Sequence, residues 1–225
     1  MFQSLNLCPN FRKNQPRIFM GLYNKYIMPR LCDYFCSTKP IQYQRKKIVC
    51  NATGIVLEIG MGSGNNIPFY NYSKVEKIIG LDPSEELSIM AKKNAKKHNA
   101  DIEHVSGYAE DINIEDNSID TVLMTYTLCS IDDTEKALKE IHRVLKPTGK
   151  FLFCEHGTAP DKNISKWQNR MNPLWKRLAG GCNLNKNIPK LIQRQNFKIT
   201  SLKYMYLPST PKFIGYNYWG AAQVI

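Results

Sequence analysis

The chain has 225 residues, of which 43% are hydrophobic and 22% are charged, and its formal net charge is +12. This composition is typical of a soluble globular protein, and the length suffices to bury the core of a single domain. No apolar run reaches the roughly 18 residues of a membrane-spanning helix. The first twenty residues lack the apolar segment of a secretory signal peptide. We therefore expect neither a transmembrane helix nor a signal peptide.

The charge is distributed unevenly along the chain. Residues 54–160 carry a net charge of −6, whereas residues 1–53 carry +8 and residues 161–225 carry +10. If both basic ends fold onto one face, that face is electropositive. Such a face fits an anionic membrane surface, an anionic substrate or nucleic acid, and it equally fits a solvated basic surface that keeps the protein soluble.

The cysteines and histidines show no pattern of a disulfide framework or a metal site. The chain has seven cysteines without a C-x-x-C pair, and four histidines without an H-E-x-x-H motif. An odd number of cysteines without paired spacing is typical of reduced thiols. The sequence therefore predicts a cytoplasmic protein without a metal site.

Taken in chain order, the predicted elements begin with an aromatic-rich segment, residues 17–38, which forms two helical pieces separated at Pro29. Short apolar runs then predict five strands, at residues 55–59, 77–81, 102–105, 119–126 and 150–154. Capped or amphipathic segments predict helices at 84–97, 132–145 and 165–178. Two closing strands, near 197–207 and 213–221, form an antiparallel edge. Alternating strands and helices indicate a parallel sheet with crossover helices.

The order of these predicted elements divides the single domain into three parts. Residues 1–53 form an N-terminal helical cap, and residues 54–160 form the core that carries the chemistry. Residues 161–225 supply a helix over the substrate and the closing strands.

A glycine-rich turn follows the first predicted strand. It reads Glu58-Ile-Gly60-Met-Gly62-Ser-Gly64-Asn, which differs from the dinucleotide fingerprint G-x-G-x-x-G and lacks the G-K-[ST] of a P-loop. Asp82 ends the second strand, where a carboxylate can accept hydrogen bonds from both hydroxyls of a ribose. The alternative is an acid that stabilises the N-terminus of the following helix.

Further polar segments follow the third and fourth strands, and all of them fall at the carboxyl ends where ligands bind in open α/β sheets. The motifs V-L-E-I-G-x-G-S-G, D-P-S, G-x-A-E-D, D-N-S-I-D-x-V and L-x-E-I-x-R-V-L-K-P-x-G together resemble class I S-adenosylmethionine-dependent methyltransferases of the methyltransferase-11 type. The resemblance covers residues 54 to about 155. It implies a Rossmann-like sheet of seven mostly parallel strands, with an antiparallel last strand and helices on both faces.

The same resemblance implies S-adenosyl-L-methionine as cofactor, S-adenosyl-L-homocysteine as its product, and a set of binding residues. Glu58, Gly60, Gly62 and Gly64 would surround the methionine moiety, Asp82 the ribose, Ala109 and Glu110 the adenine, and Tyr126 and Thr127 the sulfonium. Ser63, Asn65, Pro83 and Leu128 belong to the same contact segments. Tyr23 is either a lid residue over the cofactor or part of the core.

A narrower resemblance concerns the methyl acceptor. Leu128-Cys129-Ser130, Phe153-Cys154-Glu155-His156 and the Gly180–Asn185 segment are similar to a subgroup that contains thiol methyltransferases and bacterial phospholipid N-methyltransferase-like proteins. This implies a small-molecule or lipid acceptor, either a thiol or an amine. The basic flanks keep an RNA methyltransferase as the alternative. Nucleic acid is nevertheless disfavoured, because no N-P-P-[YFW] tetrapeptide follows the fourth strand.

Two further functional roles concern the Glu155-His156 pair and residues 17–38. Glu155 and His156, at the end of the fifth strand, are the candidate catalytic base or orienting pair, and the alternative for His156 is a hydrogen-bonded structural histidine. Residues 17–38 either contact an anionic membrane surface peripherally or only cover the active site.

Overall fold

A computed structural model of the chain, which describes residues 27–225, shows one seven-stranded sheet. The strands are β1 (Gly54–Ile59), β2 (Val75–Leu81), β3 (Glu103–Val105), β4 (Ile119–Thr125), β5 (Leu145–His156), β6 (Phe197–Tyr206) and β7 (Tyr216–Val224). Their order in space is β3-β2-β1-β4-β5-β7-β6. Strand β7 runs antiparallel to both of its neighbours, and the other six strands share one direction. This confirms the predicted Rossmann-like fold with an antiparallel last strand.

The helices are α1 (Met28–Cys36), α2 (Lys39–Val49), α3 (Glu85–Lys97), α4 (Thr134–Val144), α5 (Lys162–Leu178), α6 (Ile188–Gln193) and α7 (Lys212–Gly215). The predicted start of α3 is confirmed, because the Ser84 side chain accepts a hydrogen bond from the backbone N–H of Leu87. Asp133 caps α4 in the same way through the backbone N–H of Lys136. The sequence did not locate α2, α6 or α7. The first of the two predicted helical pieces lies mostly outside the described residues.

Apolar side chains cover both faces of the sheet. One core includes α4 and the rings of Phe151, Phe153 and Phe197, all fully buried. The core on the other face includes Ile48 and Val49 from α2 and residues of α3. Strands covered on both faces explain the continuous apolar runs in β1, β2 and β4.

Between residues 27 and 225, no helix combines the length and the apolar character needed to cross a bilayer.

Candidate active site

A cavity of about 420 Å³ opens at the carboxyl ends of the parallel strands, within the size range of small-molecule sites. Its walls come from the segments after β1, β2, β3 and β4, as the sequence predicted from sheet topology. Ten of the predicted cofactor residues line it: Gly60, Gly62, Ser63, Asn65, Asp82, Pro83, Ala109, Glu110, Tyr126 and Thr127. Tyr23 lies outside the described residues. Glu58, Gly64 and Leu128 do not line the cavity, although all three belong to the segments that shape it.

The glycine turn after β1 requires glycine for steric reasons. Gly60 has φ of +69°, and a Cβ at this position would stand 2.3 Å from side-chain atoms of Thr127. The backbone N–H of Gly62 donates to one oxygen of Asp82 at 2.8 Å, and the N–H of Ser84 donates to the other oxygen at 2.8 Å. Asp82 therefore joins the turn after β1 to the start of α3. Burial raises the pKa of this carboxyl, and the two backbone hydrogen bonds oppose that shift.

Helix α1 closes one side of the cavity. Asp33 accepts hydrogen bonds from the hydroxyl of Ser63 and from the amide nitrogen of Asn65, the latter at 3.1 Å. Asp33 and Cys36 both line the cavity. The N-terminal cap is thus bonded directly to the glycine-rich turn.

Helix α2 places a buried cation at the cavity. Arg45 is 5% exposed, and its Nη1 donates to Asn66 Oδ1 at 2.9 Å and to Thr125 Oγ1 at 2.5 Å. Its guanidinium lies 5.2 Å from the centre of the Tyr126 ring. Within residues 27–225, Arg45 forms no ion pair and its buried Nε has no hydrogen-bond partner. Because a buried charge without a directly paired counter-ion is costly, this part of the cavity favours an anionic ligand group.

Glu58 lies behind the turn and does not neutralise Arg45 fully. One oxygen of Glu58 accepts from Asn66 at 2.9 Å and the other accepts from the Tyr70 hydroxyl at 2.5 Å. Burial raises the pKa of Glu58 to about 7, although Tyr70, Arg45 and Asn66 lower it. Near neutral pH the side chain therefore carries only part of a negative charge.

The loop after β4 is held by a buried carboxylate. Glu155 is fully buried, and one of its oxygens accepts from the backbone N–H groups of Thr127 and Leu128, at 2.8 and 2.9 Å. The other oxygen accepts from the N–H of Cys129 at 3.3 Å. Tyr126 begins this loop with φ of +57°, an uncommon value for a residue other than glycine. Its hydroxyl donates to Asn217 of β7 at 2.6 Å.

The candidate catalytic pair does not line the cavity. Both oxygens of Glu155 are used by the loop, which favours a positioning role, and its role as a base stays a prediction. His156 Nε2 lies 3.0 Å from Cys182 Sγ, which fits the alternative of a structural histidine. The catalytic role of His156 also stays a prediction.

Three cavity residues carry no motif that would assign them to the site from the sequence: Asp33, Cys36 and Arg45. They lie in α1 and α2, before β1 and outside the cofactor motifs. One signal was present, since Asp33 is the single acid among the first 53 residues. Arg45 gave none, because it opens a basic run with Lys46 and Lys47 that is typical of a solvated surface.

Comparison with known proteins identifies the family. A family model described as a methyltransferase domain matches residues 57–153. Human thiol S-methyltransferase TMT1A is 30% identical over 206 residues, which cover 91% of this chain and 82% of that protein. Rat thiol S-methyltransferase TMT1B is 31% identical over 169 residues, which cover 71% of this chain and 68% of the relative. The chain belongs to the class I S-adenosylmethionine-dependent methyltransferases.

A solved structure supports the fold of the methyltransferase. A SAM-dependent methyltransferase from Methanosarcina mazei superposes with a TM-score of 0.62 at 19% identity, covering 76% of this chain and 92% of that one. At this identity the likeness concerns the fold alone. The cavity lies at the carboxyl ends of the strands in this methyltransferase fold.

Proposed function

We propose that the methyltransferase transfers a methyl group from S-adenosylmethionine to the sulfur of a small or lipid-like thiol. The observation that carries this proposal is the similarity to the human thiol S-methyltransferase, which extends over 91% of the chain. The similarity therefore includes the helical cap and the Gly180–Asn185 segment as well as the common core. The experiment must distinguish a thiol acceptor from an amine acceptor.

The cavity has the groups that the cofactor requires. The backbone of Gly60 and Gly62 would hold the amino-acid end, and Asp82 would accept hydrogen bonds from the ribose hydroxyls. The unpaired Nε and the only partly compensated charge of Arg45 fit the carboxylate of the methionine moiety. Ala109 and Glu110 would contact the adenine. When bound, the cofactor supplies an electrophilic methyl carbon attached to a positively charged sulfur.

The protein's own contribution is orientation and exclusion of water. The acceptor must reach the methyl carbon from the side opposite the leaving sulfur, and alignment of this kind is worth about 7–11 kcal/mol in well-oriented reactions. Tyr126 and Thr127 would form the wall at the reacting end, and Glu155 fixes the backbone of Thr127 and Leu128 from behind. A thiol reacts as thiolate, so its proton leaves before the sulfur–carbon bond forms.

A panel of acceptors tests the proposal. The purified chain is incubated with S-adenosylmethionine and, separately, with an alkyl thiol, phosphatidylethanolamine, a quinone precursor and transfer RNA. We expect a methyl thioether from the thiol, detected by mass spectrometry, and little product from the others. Methylation of phosphatidylethanolamine or of RNA without thiol methylation would contradict the thiol assignment and leave the family assignment intact.

Substitution of Arg45 tests its role towards the cofactor. Loss of a charged hydrogen bond costs about 1.5–3 kcal/mol, so Arg45→Met should weaken S-adenosylhomocysteine binding by about 10- to 100-fold. Calorimetric titration measures the affinity, and thermal unfolding shows whether the variant is folded. Lys46→Met removes the same charge one residue away on an exposed side chain, and it should bind like the wild type. A folded Arg45→Met variant with unchanged affinity would contradict this assignment.

We also propose a peripheral contact with anionic membranes, in keeping with the expectation for residues 17–38 and a cytoplasmic location. Leu31, Tyr34 and Phe35 of α1 are 38–68% exposed, although they are apolar or aromatic. Co-sedimentation with anionic vesicles should therefore decrease in a variant that replaces these three residues with serine. Equal co-sedimentation of the variant and the wild type would contradict the contact.

A further inference from the structure

Two thiols and one imidazole converge beside the cavity, outside the set of cofactor residues. Cys129 follows β4, His156 ends β5, and Cys182 lies in the loop between α5 and α6. Their two sulfur atoms and an imidazole nitrogen all lie within 4.8 Å of one another. Cys129 is buried, whereas His156 and Cys182 are partly exposed. The sequence predicted no metal site, because three ligands from three distant segments leave no spacing motif.

The donor set matches the preferences of zinc. Two thiolates and one imidazole form a ligand set known from zinc sites that keep one coordination position open. Bond lengths of about 2.3 Å to sulfur and 2.0–2.1 Å to nitrogen place sulfur and nitrogen about 3.6 Å apart in a tetrahedral site. The observed separation of His156 Nε2 and Cys182 Sγ is 3.0 Å. For this pair of atoms, opening by roughly half an ångström would reach the tetrahedral separation.

The surroundings allow and support this adjustment. Cys182 follows Gly180 and Gly181, whose φ values of +59° and +92° mark an irregular loop. The indole N–H of Trp175 donates to Cys182 Sγ at 3.4 Å, which is the type of outer hydrogen bond that stabilises a metal-bound thiolate. The nitrogen of His156 that faces the sulfur atoms is Nε2, so this nitrogen is the ligand.

We propose that Cys129, His156 and Cys182 bind one Zn²⁺ ion, with water as the fourth ligand. Binding replaces the two thiol protons with two sulfur–zinc bonds and releases both protons to the buffer. The ion would join the loop after α5 to the ends of β4 and β5. Gly180 and Ser130, which are chain neighbours of two ligands, line the cavity. Zinc would thereby fix one wall of the active site.

Metal binding to the full chain tests the proposal directly. The reduced protein is freed of metal with a chelator, and Zn²⁺ is titrated in competition with a chromophoric chelator. We expect one equivalent bound per chain, and the Co²⁺ form should show sulfur-to-cobalt charge-transfer absorption. Cys182→Ser should lower the zinc affinity by about tenfold or more. Cys50→Ser removes an exposed cysteine elsewhere in the chain and should bind zinc like the wild type.

Two results would overturn the proposal. One is a reduced, folded wild-type chain that binds no zinc and gives no cobalt–sulfur absorption. The other is a Cys182→Ser variant that binds zinc as tightly as the wild type. If Cys129→Ser fails to fold, the Cys182→Ser variant and the cobalt spectrum of the wild type still test the zinc proposal. S-adenosylhomocysteine binding, measured separately in the presence of the chelator, distinguishes failure of the zinc site from failure of the proposed methyl transfer.

Discussion

Replacing Glu155 with glutamine separates a positioning role from catalysis. The two side chains have the same shape, but glutamine presents an N–H₂ group where the carboxylate has its second oxygen. If the retained oxygen keeps the hydrogen bonds from Thr127 and Leu128, the amide nitrogen faces the backbone N–H of Cys129. One hydrogen bond is then lost, and two donors face each other in a buried site.

The size of the effect follows from these contacts. A buried hydrogen bond to a charged group contributes about 1.5–3 kcal/mol, and the 3.3 Å bond to Cys129 belongs at the lower end. The two remaining bonds weaken when the charge is removed, but the variant also avoids burying a charge. We expect Glu155→Gln to lower the free energy of unfolding by about 2 kcal/mol, which corresponds to about 4–8 °C in the melting temperature.

Urea unfolding measures this loss, and Glu110→Gln provides a matched control. Glu110 carries the same functional group at the cavity, but its one hydrogen bond among the described residues is a long contact of 3.4 Å with the N–H of Asp133. The control should therefore stay within about 0.5 kcal/mol of the wild type. The positioning role is refuted if Glu155→Gln retains wild-type stability and cofactor affinity but loses turnover, because that pattern identifies a catalytic base.

Two further predictions concern the glycine turn and the residues behind it. Because the pKa of Glu58 is raised from 4.5 to about 7, the folded state favours the neutral form, and stability should fall by about 3 kcal/mol as pH rises from 4.5 past 7. Urea unfolding at pH 5 and pH 8 should show a smaller decrease for Glu58→Gln, and equal decreases would exclude this carboxyl as the cause. Gly60→Ala should lose more stability than Gly62→Ala, because both positions have positive φ but only the former Cβ would collide with Thr127. The left-handed backbone conformation costs about 1–2 kcal/mol in both variants, so any difference between them comes from the collision with Thr127. Equal melting temperatures would therefore contradict the steric argument.

The strands and the glycine turn were predictable because local signals specify them. Short apolar runs located β1 to β5, and topology implied that the segments after them would meet at one edge of the sheet. Helix α2 was not predictable in this way. Its sequence KPIQYQRKKIV is mostly polar, yet Gln44 and Arg45 are buried. Their burial depends on partners such as Asn66 and Thr125, which tertiary structure alone brings near.

The backbone turns of the candidate site were predictable from the sequence, whereas the roles of its charged and thiol side chains were less so. Gly60, Gly62 and Asp82 belong to continuous motifs, and the cavity includes all three. Glu155 contacts Thr127, 28 positions away, and Cys182 contacts His156, 26 positions away. These contacts depend on loops whose conformation cannot be read from a periodic sequence pattern. A carboxylate at a strand end has the same sequence signature whether it takes a proton or anchors a loop.

The position of β7 has a consequence for the order in which the enzyme becomes complete. This strand lies between β5 and β6, although it follows both in the chain, and its Asn217 accepts the hydrogen bond from Tyr126 at the cavity. During synthesis, the earlier strands can therefore associate while β5 still has an unpaired edge. A nascent or truncated chain that ends before Tyr216 would expose that edge to aggregation and leave the Tyr126 hydroxyl without its acceptor. Methyl-transfer competence should accordingly arise late, with the arrival of the last strand.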